Sequence, residues 1–143
     1  MGEHESRRRG EAALEARLRH VERLQIRPVS AAERSRFLRD WDTIQARFLD
    51  HPRGAVTEAD DLIGAIMEAR GYAGSRFEQR VAELSVNHPR LADPYRRANA
   101  IAVRSAKGEA STEELRTAMI LYRAVFEELL QTKTIAMPRA EAA

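Results

Sequence analysis

The chain contains no cysteine, so disulfides, thiolate nucleophiles, zinc ribbons and iron–sulfur clusters are excluded from the outset. Long hydrophobic runs are missing too. An Arg, Lys, Asp or Glu interrupts every apolar stretch within a few positions, far short of the roughly 20 apolar residues of a membrane span. Charge of one sign is scarce: 24 basic and 22 acidic residues leave a formal net charge of +2, a small arginine surplus that does not by itself imply nucleic acid. The start, Met1 to Arg9, has basic residues but no apolar core behind them and no small-residue cleavage site, which argues against a secretory signal and for the cytoplasm.

Catalytic signatures are also lacking. The sequence has no G-x-S-x-G, no G-x-x-x-x-G-K-[ST], no G-x-G-x-x-G and no H-E-x-x-H, and no two histidines lie three or four residues apart. No segment alternates apolar and polar residues as a half-buried strand does. Hydrophobic residues make up 43% of the 143 and charged residues 32%, a balance that suits one globular domain with a single core.

What the sequence does have is helical rhythm. Residues 11–25 space Leu14, Leu18, Val21 and Gln25 along a narrow apolar stripe, which predicts an amphipathic helix ended at Arg27-Pro28. Ser30-Ala31-Ala32-Glu33 is a capping box, opening a helix with Phe37, Trp41, Ile44 and Phe48 on one face. Asp50-His51-Pro52 separates it from a third stripe, Ala55, Val56, Ala59, Leu62, Ile63, Ile66 and Met67, closed by Gly71 as a left-handed cap. Gly64 lies inside that helix at a cost of about 1 kcal/mol against alanine, which a close helix crossing would rationalise.

Ser75-Arg76-Phe77-Glu78 is a second capping box, before Phe77, Val81 and Leu84 and a turn at Asn87-His88-Pro89. Tyr95, Ala98, Ile101, Ala102 and Ser105 form the next face, closed by Lys107-Gly108. That helix begins either near Pro94 or at Pro89 with a bend at Pro94. Ser111-Thr112-Glu113-Glu114, the third capping box, leads into Leu115, Ala118, Met119, Tyr122, Val125, Phe126 and Leu129. The expected fold is all-α: residues 30–131 as a single-domain bundle of about five helices, most neighbours in sequence packed antiparallel. Residues 1–29 supply a disordered start and the amphipathic helix, and residues 132–143 a disordered tail.

Trp41, Gln45, Arg47-Phe48, Asp50 and Pro52, with Arg70-Gly71-Tyr72, His88-Pro89 and Tyr95-Arg96, recur in a pattern that resembles an all-helical bacterial family of actinobacterial type, common in high-GC soil bacteria. Ser111-Thr112-Glu113-Glu114-Leu115-Arg116, Tyr122-Arg123 and Phe126-Glu127-Glu128-Leu129-Leu130 extend the likeness, which spans roughly Phe37 to Leu130. It implies a helical fold and brings no activity, substrate or cofactor with it. The family pattern runs helically before Tyr95, where this chain has Pro94.

Candidate chemistry has to be weighed against plainer readings. Glu58, Asp60 and Asp61 could gather a cation, but adjacent helical residues point about 100° apart, so a solvated or ion-paired surface is the expectation. His51 and His88 each precede a proline and suit turn and cap roles. Tyr95-Arg96-Arg97 and Tyr122-Arg123 could stack bases, yet each tyrosine falls on an apolar stripe and its arginine points away, so weak nucleic-acid binding through arginine faces ranks third.

The favoured reading is therefore a non-enzymatic protein without metal or cofactor that binds a protein partner or itself. Leu14, Leu18 and Val21 form its docking arm. The alternative is a small-molecule or enzymatic cleft between helices involving Trp41, Gln45, Asp60, Arg96 and Arg123.

Overall fold

The computed structural model describes residues 26–72 and 76–131. Five helices account for nearly all of them: α1 (Ala31–Phe48), α2 (Pro52–Ala69), α3 (Phe77–Asn87), α4 (Pro89–Ala106) and α5 (Thr112–Gln131). No strand occurs among the described residues, and no described helix is long and apolar enough to cross a membrane. Leu14, Leu18 and Val21, the cap serine Ser75 and the tail 132–143 lie outside the described residues.

Local chemistry sets the helix ends. At α1, the Ser30 hydroxyl accepts from the Glu33 amide at 3.1 Å while the Glu33 carboxylate accepts from the Ser30 amide at 2.9 Å. Ser111 and Glu114 repeat the arrangement before α5, again at 3.1 and 2.9 Å. Gly71 and Gly108 take φ values of 95° and 74° after α2 and α4, a left-handed conformation that costs a residue with a Cβ. Pro94 is accommodated inside α4, which starts at Pro89 and runs unbroken to Ala106. His51 and His88 sit at helix boundaries as expected, but neither side chain caps a helix.

The apolar stripes meet in one core. α5 packs on α4 and α2, α1 packs on α2, and α3 packs on α4. Among helices adjacent in sequence, α1 and α2, α3 and α4, and α4 and α5 pack together, while α3 reaches α2 through Arg80, which pairs with Asp60. Aromatic rings tie four of the helices together: Trp41 of α1 stacks on Phe126 of α5 at 5.0 Å, Tyr122 of α5 meets Tyr95 of α4 edge-on at 6.3 Å, and Phe77 of α3 stacks on Tyr95 at 5.8 Å. Phe37, Trp41, Ile66 and Phe126 are all buried. Each such side chain contributes about 1.5–3 kcal/mol by leaving water, which is why the stripes dominate the fold.

Candidate functional site

Three places combine polar chemistry with defined geometry. The first is a groove of about 230 Å³ between α1 and α5. Its floor is the Trp41–Phe126 stack, and Leu38, 42% exposed, stands open on one wall. Gln45, Asp42, Arg123 and Glu127 form the polar rim, with Arg123 held by Glu127 at 3.0 Å. At one end lie Leu130, Gln131 and Arg34, whose guanidinium donates to the Leu130 carbonyl at 2.7 Å.

That end also receives the incoming chain. The Arg27 amide donates to the Arg70 carbonyl at 2.9 Å, and Arg70 Nε donates back to the Arg27 carbonyl at 2.8 Å. Arg70 Nη1 reaches on to the Leu129 carbonyl at 3.0 Å. Two arginines from other segments thereby satisfy two carbonyls in the last turn of α5, which has no basic residue of its own there. The chain at Arg27 is fixed near the end of α5 as a result.

The second place is centred on Asp60. Its Oδ1 accepts from the hydroxyls of Tyr95 at 3.1 Å and Tyr122 at 3.2 Å, and its Oδ2 lies 3.5 Å from Arg80 Nη1. Arg80 also donates to the Tyr95 hydroxyl at 3.1 Å. Burial, then the Asp60 charge, push Tyr95 up to about 12 and push Tyr122 up as well. Burial works against the Arg80 charge, but the Tyr95 hydrogen bond and the carboxylates outweigh it, and its ordinary value is raised.

Of the expected solvated or ion-paired surface, Asp60 alone departs. Glu58 does pair with Arg47 on the surface, and the Asp61 side chain is exposed. Asp60 instead turns inward and knits α2, α3, α4 and α5 through long-range partners.

The third place is the buried set Arg70, Tyr72 and His88. The Tyr72 hydroxyl and His88 Nε2 are 2.7 Å apart and share a hydrogen bond. Burial, reinforced by the Arg70 charge, lowers His88 to about 4, so the ring is neutral at pH 7 and its 4.0 Å approach to Glu128 is not an ion pair there. Burial pushes the Tyr72 hydroxyl up to about 12. His88 keeps the turn position expected of it between α3 and α4, and its side chain is buried in the core as well.

Of the five residues expected to share a cleft, Trp41, Gln45 and Arg123 line the α1–α5 groove together. Asp60 belongs to the tyrosine cluster, and Arg96 is exposed on α4. Sequence reasoning missed Arg34, Leu38 and Phe126 as groove residues. It also missed Arg80 and Arg70 as polar partners inside the bundle, and Gly64, expected to allow a close helix crossing, instead faces the Arg80 guanidinium. Among the described residues, no group of three or more His, Asp or Glu is placed to hold a metal ion. Set beside known protein families, curated proteins and solved structures, the chain matches none of them.

Proposed function

We propose that the protein is a non-catalytic helical module of the cytoplasm that associates with a second copy of itself. In this reading, residues 11–25 of one copy form an amphipathic arm whose Leu14, Leu18 and Val21 enter the α1–α5 groove of the other. One observation carries the reading. The groove has an aromatic floor and an open apolar wall, and Arg27 is pinned to Arg70, which bonds the Leu129 carbonyl next to the groove residue Leu130, so the arm starts near the same end of α5 as the groove.

Size and charge support the same occupant. A volume of about 230 Å³ is below the roughly 300–1,000 Å³ of small-molecule sites but suits one or two leucine side chains of an approaching helix. The arm interleaves Arg17, Arg19 and Arg23 with Glu15 and Glu22, and the rim offers Asp42 and Glu127 with Arg34 and Arg123, so pairs of opposite sign are available along the contact. Two copies exchanging arms make two identical contacts, the closed twofold arrangement commonest among homo-oligomers.

The test is sedimentation equilibrium of the full-length chain beside a variant carrying Leu14→Glu, Leu18→Glu and Val21→Glu. A dimer for the natural chain and a monomer for the variant are expected. A natural chain that stays monomeric at high micromolar concentration would overturn the proposal, including by way of an arm docked on its own bundle.

A further inference from the structure

The α1–α5 groove has a second claimant close at hand. The chain leaves α5 at Gln131, and Gln131 and the preceding Leu130 both line the groove. The residues that follow, Thr132-Lys133-Thr134-Ile135-Ala136-Met137-Pro138-Arg139, carry two large apolar side chains, two cations and no acid. On α5 the groove extends from Gln131 back to Arg123, about 12 Å of helix at roughly 1.5 Å per residue. With Thr132, Lys133 and Thr134 as a reversing link, Ile135 and Met137 come within that span, because an extended segment advances about 3.3 Å per residue.

The pattern of the segment suits the groove. In an extended chain Ile135 and Met137 project to one side and Ala136 to the other, and Pro138 biases Met137 toward that extended form. The groove, of about 230 Å³, has room for one or two such side chains over the Trp41–Phe126 stack and beside Leu38. Methionine packs readily against aromatic rings. On the rim Arg123 and Glu127 neutralise one another, whereas Asp42 pairs with no cation among the described residues, so Lys133 or Arg139 finds a carboxylate there.

We infer that residues 132–139 dock in the groove of their own copy and compete there with the arm of another, so that this tail governs self-association. The inference rests on the reading that the groove receives the arm. A groove of this size cannot hold both at once. The short link keeps the tail at an effective concentration of order millimolar, so an arm enters only the fraction of grooves that their tails leave open. Arm exchange needs two open grooves, and the penalty counts twice.

The full-length Leu14→Glu, Leu18→Glu, Val21→Glu variant, whose charged arm is kept out of an apolar groove, isolates the tail. With its Ile, Leu and Met methyl groups labelled for NMR, nuclear Overhauser contacts are expected between the Leu38 methyls and those of Ile135 and Met137, the tail signals being identified by their loss in Ile135→Ser, Met137→Ser. Absence of these contacts would overturn the docking. With the natural arm, Ile135→Ser, Met137→Ser should lower the dimer dissociation constant in sedimentation equilibrium about tenfold, the result of a tail that covers each of two grooves roughly two-thirds of the time. An unchanged or raised constant would overturn the competition. A natural chain and a tail variant that both stay monomeric would remove the arm, and the competition with it, while the Leu38 contacts alone would still decide whether the tail docks.

Discussion

The guanidinium of Arg80 lies across the bare backbone of Gly64: a Cβ built at position 64 would stand 2.2 Å from Arg80 Nη2 and 2.7 Å from Cζ. The glycine therefore serves a side chain arriving from α3 rather than a close crossing of helix backbones. It keeps open the route by which Arg80 reaches Asp60 and Tyr95.

A double-mutant cycle follows from this contact. Gly64→Ala gains about 1 kcal/mol of helix propensity but displaces Arg80 from Asp60, so a net loss of roughly 1 kcal/mol is expected in urea unfolding. In an Arg80→Ala background the same change should stabilise the protein by about 1 kcal/mol. Equal effects in both backgrounds would show that the two residues do not interact.

Asp60 anchors more than its ion pair. Asp60→Ala leaves two tyrosine hydroxyls and a half-buried guanidinium without their acceptor, and a loss of about 2–3 kcal/mol is expected. Tyr122→Phe removes one donor and should cost about 1 kcal/mol. Denaturation midpoints for the two variants check this order, with Asp60→Ala the more damaging.

His88 gives the bundle an acid sensitivity of known sign. An exposed histidine titrates near 6.5, whereas the buried ring is held at about 4, so between these values the unfolded chain binds the extra proton and the folded chain does not. Stability is complete above pH 6.5 and declines as the pH falls toward 4, by up to about 1.4 kcal/mol per unit. Below that range His88 contributes no further slope. A urea-unfolding series from pH 7.5 to 4 should show the decline, and His88→Gln should flatten it.

Arg70 links the start of the described chain to the end of α5. Arg70→Met keeps much of the bulk but strips the Leu129 and Arg27 carbonyls of their donor. A loss of about 2–4 kcal/mol is expected, with hydrogen exchange rising first in the last turn of α5.

Short-range chemistry was legible in the sequence. The boxes at Ser30 and Ser111, the left-handed glycines at 71 and 108, and the stripes through Trp41 and Phe126 each depend on residues within one or two helical turns. The role of Asp60 was not legible, because its partners Arg80, Tyr95 and Tyr122 are 20, 35 and 62 positions away, and spacing along one helix cannot reveal them. The same limit scattered the expected cleft. Arg96 follows the buried Tyr95 and is turned about 100° from it, toward solvent, while Trp41, Gln45 and Arg123 come together because Trp41 stacks on Phe126 of α5 beneath the groove. Pro94 stood between two readings, since it breaks one backbone bond without preventing the helix from continuing.

The open wall of the groove tests arm exchange most directly, since Leu38 is exposed there in the single copy. Followed by sedimentation velocity through a dilution series, the natural full-length protein should run as a dimer and Leu38→Glu as a monomer. Dimers that form equally in both proteins would contradict the account.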